Sequence, residues 1–311
     1  MPEQVRDAIK RVRRLEIATK QMVEGLMSGY YHSVFKGRGI EFSDIREYVA
    51  GDDIRAIDWN VTARMNAPFV KEFIEERDLT VHIVLDISAS SEFGFERRKR
   101  DVGIEIAASL IFSALTNNDR VGMFLCTSEV EEFIPPRKGR SHLFKLLREM
   151  IYFEPENKTT DLNNCIRYVS NVTKRKSTIF IISDFITEDF EKSLRILKNR
   201  HEVILVNVND VRESDIPDIG YVLLEDGETG EQFLLDTSDK GFRERYTDIV
   251  RQRNEALSER MRRRKVDMIN IRTDQPFEIP LRRFFMMRRR MSHTPARRAV
   301  STRFSVKKSG G

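Results

Sequence analysis

The sequence predicts an α/β protein: a mostly parallel sheet with helices on both faces, preceded by an amino-terminal helical and strand cap. Three observations carry this expectation. Short segments such as Thr80 to Leu85, Thr178 to Ile182 and Val203 to Val208 are almost continuously apolar, as strands covered on both sides must be. They alternate with helix-length segments that carry one apolar stripe each. The 311-residue chain is 40% hydrophobic and 9% aromatic, enough for a real core in one or two compact units.

In chain order, residues 2 to 28 read as an amphipathic helix, with Val5, Ile9, Val12, Leu15, Met22, Val23 and Leu26 on one stripe and Ile17 off it. Ser28 to Pro68 is rich in Gly, Tyr, Arg and Asp and has no long apolar periodicity. Phe69 to Glu76 and Thr80 to Leu85 read as strands joined around Arg77-Asp78. Arg97 to Thr116 is helical, with Val102, Ile106, Leu110, Ile111, Ala114 and Leu115 on one face. Strands are expected at Arg120 to Cys126 and Val130 to Ile134, then helices at Ser141 to Tyr152 and Asp161 to Thr173. Thr178 to Ile182 is a strand, Asp189 to Lys198 a helix and Val203 to Asn209 a strand. Tyr221 to Leu224 and Glu231 to Leu235 flank Asp-Gly-Glu-Thr-Gly, a hairpin signal. A charged helix over Lys240 to Lys265 and a strand at Met268 to Arg272 follow. Phe284, Phe285 and Met287 are expected to pack a last helix on the body with its arginines solvated, and the chain beyond Pro295 to be a disordered tail. The implied division is a cap over 1–76, an α/β domain over 77–275 and a helix with basic tail over 276–311.

Charge excludes some functions. Of 54 basic residues, ten lie from Arg282 onward with no acid among them, so the rest holds 44 basic against 49 acidic residues. Such a body is not built as a nucleic-acid surface; only the tail could bind polyanions weakly. No apolar run approaches the roughly 18 residues of a membrane span, and the first residues lack a signal-peptide stretch. Cys126 and Cys165 sit in apolar segments and read as core residues of a reduced, cytoplasmic protein.

In such a sheet, ligands gather at the carboxyl ends of the strands. Three segments there carry oxygen-bearing side chains: Asp86-Ile-Ser88-Ala-Ser90, Thr159-Thr160-Asp161-Leu, and Ser183-Asp184. Hydroxyl and carboxylate oxygens without His or Cys suit a hard cation such as Mg²⁺, with Mn²⁺ or Ca²⁺ as substitutes. Asp86, Ser88 and Ser90 alternate, so they can face one centre along an extended loop. Turn formers and helix caps are the competing reading of the same residue types.

The set resembles the metal-ion-dependent adhesion site of von Willebrand factor type A domains, in which Asp-x-Ser-x-Ser is joined by a downstream Thr and then an Asp. Here the match is Asp86, Ser88, Ser90, Thr160 and Asp184, with Thr160 chosen over Thr159 on its Thr-Asp-Leu helix start. The segment Phe35-Lys-Gly-Arg-Gly-Ile-Glu-Phe-Ser-Asp-Ile-Arg46, then Gly51-Asp-Asp53-Ile-Arg55-Ala-Ile-Asp58-Trp59-Asn60 and Ala63-Arg64, resembles the family known as domain of unknown function 58, as do Asp119-Arg-Val-Gly122 and Pro135-Pro-Arg-Lys-Gly139. Lys158-Thr159 replaces the Gly-Gly often found before the site threonine. That resemblance implies a von Willebrand A-like (Rossmann-like) fold and a MoxR-type AAA+ ATPase as partner, with a client protein matured in a chaperone-like way. It also implies a soluble member, since the amino-terminal anchor of many relatives is missing. The Arg46–Arg64 segment reads either as a salt-bridged, partly buried cap or as a docking surface around Trp59.

Enzyme readings fare worse. A haloacid-dehalogenase-type phosphatase needs a second Asp where Ser88 stands, and a hydroxyl of ordinary pKa cannot replace that acid. Gly-x-x-x-x-Gly-Lys-Ser/Thr and Gly-x-Ser-x-Gly are both absent. His82 lies within a strand and is expected in the core. The sequence therefore predicts a non-enzymatic, Mg²⁺-dependent protein-interaction module. The alternative is an adaptor on nucleic acid or anionic membrane that uses the basic tail.

Overall fold

The computed structural model describes residues 41–292 apart from 51, 66, 75–78, 95 and 188, together with Ile17. The rest of the expected helix over 2–28, the Arg77-Asp78 connection and the stretch beyond 292 lie outside the described residues.

Six strands form the central sheet: β3 (Thr80–Asp86), β4 (Arg120–Cys126), β5 (Val130–Arg137), β6 (Thr178–Ser183), β7 (Glu202–Asn209) and β10 (Asp267–Arg272), in the order β10-β7-β6-β3-β4-β5. All neighbours are parallel except β5, which returns antiparallel to β4 and closes that edge. β5 runs further than expected, through Pro135 and Pro136, which an edge strand tolerates because one side of its backbone needs no partner.

Strand alternation sorts the core into two layers. Val81, Ile83 and Leu85 of β3 face one layer with Phe180, Ile182, Ile204 and Val206, while Val84, Ile179, Ile181 and Leu205 face the other. Helices α2 (Lys99–Thr116), α3 (Arg140–Tyr152) and α7 (Glu278–Ser292) cover the first layer. Helices α4 (Leu162–Val172), α5 (Glu191–Arg200) and α6 (Lys240–Arg263) cover the second. α2 is buried on nearly every side, from Val102 to Ala114, as a helix wedged between sheet and neighbours must be. Cys126 and Cys165 are free and buried in the second layer.

Two small antiparallel sheets flank this body. β8 (Tyr221–Glu225) and β9 (Gln232–Asp236) form the expected hairpin. β1 (Glu41–Glu47) pairs with β2 (Phe69–Ile74), so β2 and β3, consecutive in sequence, belong to different sheets. β1 escaped the sequence reading because its register shifts between Phe42 and Asp44, and a bulge there breaks the alternation that marks a strand. The short helix α1 (Trp59–Met65) follows, with Trp59 67% exposed and Ile54 65% exposed, so Trp59 is no buried anchor among the described residues. Arg46 makes a two-pronged ion pair with Asp52 at 2.7 and 2.8 Å, which holds the Asp52 carboxyl down at about 2. In α7, Phe284 and Phe285 are buried as expected, but Met287 is exposed and Arg288 is not solvated. It pairs with Glu202 and lies 3.5 Å from Asp267.

Candidate functional site: an oxygen cluster at the carboxyl end of the sheet

β3 lies between β4 and β6, and chain order reverses there, which makes its carboxyl end the place where an α/β sheet opens a crevice. Asp86 is the last residue of β3 and is buried. One of its oxygens accepts from the Ser88 backbone N–H at 3.0 Å and the Ser88 hydroxyl at 2.6 Å. The other accepts from the Ser183 hydroxyl at 2.6 Å. Ser88 and Ser90 hydroxyls stand 3.2 Å apart, because a 3-10 turn over Ala89–Glu92 folds the loop back on itself. Asp86, Ser88 and Ser90 therefore converge as expected, and Ser183 joins them.

Asp184 follows at the end of β6, held by a different partner from any the sequence suggested. Its Oδ2 accepts from Nζ of Lys99 at 2.6 Å, and its Oδ1 from the Ile186 N–H at 3.1 Å. Lys99 opens α2, is 3% exposed, and also contacts Glu213 at 2.5 Å. Burial pushes the Lys99 ammonium down, but Asp184 and Glu213 outweigh that and lift it above its ordinary value. The next residue, Phe185, has a φ of 53°, an uncommon conformation for a bulky side chain, and is fixed by burial against Phe190 at 5.6 Å between rings. Such strain persists only where the surroundings over-determine it, so the Ser183–Asp184 corner is held rigidly.

Thr160 sits on the loop before α4, whose first turn is capped by Asp161 accepting from Asn164 N–H. Glu131 anchors that loop from β5 by accepting the Glu156 and Asn157 N–H groups at 2.7 and 2.9 Å. The loop is then tied to the Asp86–Ser90 segment by Ala89 N–H donating to the Lys158 carbonyl at 2.9 Å. Thr160 is half-buried and Thr159 exposed. The Thr160 hydroxyl donates not to the Asp86 cluster but to Glu228 of the β8–β9 turn, at 2.6 Å.

Burial and the nearby Asp184 carboxylate raise Asp86 to about 6, against the opposing hydrogen bonds from Ser183 and Ser88. A buried carboxylate raised in this way is stabilised by any cation placed beside it. Oxygen ligands about 2.0–2.1 Å from one octahedral Mg²⁺ stand about 3 Å apart. The observed separations, 2.6 Å for Asp86–Ser88 and 3.2 Å for Ser88–Ser90, are close to that edge length. The donor set is all oxygen, so the residues present fit a hard divalent cation.

The family described as protein of unknown function DUF58 matches residues 44–256, from β1 into α6. The chain belongs to this family. Uncharacterized protein Rv1480 of Mycobacterium tuberculosis is 31% identical over 285 residues, which cover 90% of this chain and 89% of its own. YeaD of Bacillus subtilis is 23% identical over 177 residues, 57% of this chain and 42% of its own. Among solved structures, an aerotolerance-related membrane protein from Bacteroides fragilis is similar with TM-score 0.47 and 16% identity, covering 68% of this chain and 99% of that one. The VWA domain of SpRpn10 is similar with TM-score 0.38 and 12% identity, covering 66% and 94%. The DUF58 chain has the mixed α/β, mostly parallel arrangement that its sequence implied. Among its described residues no helix is long and apolar enough to cross a membrane.

Proposed function

We propose that this DUF58 protein is a non-catalytic interaction module whose contact with a partner depends on a divalent cation, Mg²⁺ in the first instance, held by Asp86, Ser88, Ser90, Thr160 and Asp184. The observation that supports it most is the convergence of Asp86, Ser88 and Ser90 within 2.6–3.2 Å of one another at a reversal point of the sheet. When bound, the cation supplies an electrophilic point that an acidic side chain of another protein can reach. The chain's own residues do the rest. Ser183 and Ser88 hold Asp86 in one rotamer, and Lys99 holds Asp184, so the cluster is set before anything binds. Ser88 donates its proton to Asp86, an arrangement that fits a ligand and gives no general acid. The working partner we propose, from the family resemblance, is a MoxR-type AAA+ ATPase, in chaperone-like maturation of a client protein in the cytoplasm.

Two measurements test this reading. Calorimetry should show Mg²⁺ binding by the wild type and none by Asp86→Ala. Co-purification with the MoxR-type ATPase should need divalent cation and be lost on Asp86→Ala and Ser88→Ala, with circular dichroism unchanged. Equal Mg²⁺ binding by wild type and Asp86→Ala would overturn the site, and association that persists in EDTA would overturn its use.

A further inference from the structure

The β8–β9 hairpin reaches the cluster from a distant part of the chain. Its turn is built by Asp226, whose side chain accepts the Glu228 and Thr229 N–H groups at 2.8 and 3.1 Å, and by Gly230 at φ +73°. That turn sets Glu228 against the Thr160 loop. One Glu228 oxygen accepts the Thr160 hydroxyl at 2.6 Å and the other the Thr160 N–H at 3.2 Å. Beside it, a side chain at Gly227 would stand only 3.4 Å from the Ala89 carbonyl, so the tip rests on the Ser88–Ser90 turn. Glu228 is half-buried while the rest of the turn is exposed.

Among the described residues the hairpin has little else to hold it. An isolated two-stranded hairpin is marginal in water. Here both faces are apolar and open, with Leu223 and Leu234 at 62% and 68% exposure on one, and Leu224 and Phe233 at 43% and 50% on the other. Its base is fixed by buried Thr237, whose hydroxyl donates to the Gly220 carbonyl at 2.6 Å and accepts the Ile219 N–H. It is thus an arm pinned at the base and latched at the tip through Glu228.

We propose that Glu228 is a further carboxylate ligand of the cation site, brought in by the β8–β9 arm and displaceable by an acid from a partner. The inference rests on the cation reading above. Chemistry supports it: Glu228 brings a half-buried carboxylate, a hard oxygen donor, to a set otherwise made largely of hydroxyls. Distance supports it too, since Thr160 and Glu228 oxygens at 2.6 Å are spaced much as adjacent ligands of one ion are.

The test uses the full chain and Mn²⁺ alone as probe, with wild type, Glu228→Ala and Asp86→Ala compared. Ligand charge count tunes the affinity of such sites, so Glu228→Ala should weaken Mn²⁺ binding by about tenfold. It should also raise water-proton relaxation per bound Mn²⁺, because water takes the vacated position. In hydrogen exchange, Mg²⁺ should slow the amides of 221–236 in the wild type and leave them unchanged in Glu228→Ala. If Asp86→Ala loses Mn²⁺ while Glu228→Ala matches wild type in affinity, relaxation and exchange, this inference falls and the cation site stands. If Mn²⁺ binds wild type and Asp86→Ala alike, both fall.

Discussion

Lys99 carries a positive charge into a place from which water is almost excluded, and two acids compensate it there. Removing one partner of such a group costs far more than the pair contributes, because the remaining charges stay buried. Lys99→Met, close in length and apolar, should therefore destabilise the cation-free protein by about 3–5 kcal/mol in urea unfolding. The proposed cation lies beside the same Asp184, so it would take over part of the lost compensation. Added Mg²⁺ should then stabilise Lys99→Met more than it stabilises wild type. Equal increments in the two proteins would show that ammonium and cation act on separate charges.

At the scale of elements, the join between β3 and β4 is close enough for a single added atom to test. His82 of β3 lies opposite Gly122 of β4, where a Cβ would stand 2.8 Å from the His82 ring nitrogen and 3.1 Å from the Ile134 carbonyl. Burial, with His201 nearby, pushes His82 down to about 4, so the ring is neutral at pH 7 and packs as an apolar group near Phe124. Gly122→Ala should cost about 1–3 kcal/mol through overpacking. His82→Ala in the same chain should relieve part of it, giving a coupling of about 0.5–3 kcal/mol in a double-mutant cycle. Strict additivity would mean that Ile134, not His82, sets the limit. Elements like β3 and β6 were legible because both faces are buried and their runs are mostly apolar; Asp86 stands out as the acid that ends β3 and Asp184 as the acid that follows β6. Lys99, Glu213 and Glu228 were not legible. They meet the site across 85, 114 and 68 residues, and no local periodicity encodes such distances. Ser183 stands in the oxygen-bearing Ser183-Asp184 segment but outside the resemblance's ligand set, and Glu228 sits inside the hairpin turn Asp226-Gly-Glu-Thr-Gly, whose pattern marks a turn and no site.

Across the whole molecule, charge is divided by position. Upstream of Arg282 the chain holds 44 basic and 49 acidic residues, and α7 belongs structurally to that body, with Phe285 fully buried and Arg288 paired to Glu202. Beyond 292 come Arg297, Arg298, Arg303, Lys307 and Lys308 with no acid. Polyanion binding should accordingly belong to residues 293–311 and stability to α7. Truncation after 292 should leave the unfolding midpoint unchanged, whereas Phe285→Ala should cost about 3–5 kcal/mol by opening a cavity under the sheet. On a short DNA duplex, five cations release at most about five counterions, so the logarithm of affinity should fall against the logarithm of salt with a slope no steeper than about −4.5. The truncated protein should show almost no slope. A truncated protein that kept a steep salt dependence would place the polyanion surface on the exposed Arg282 and Arg283 of α7. The folded body, and not the tail, would then carry the polyanion-binding face.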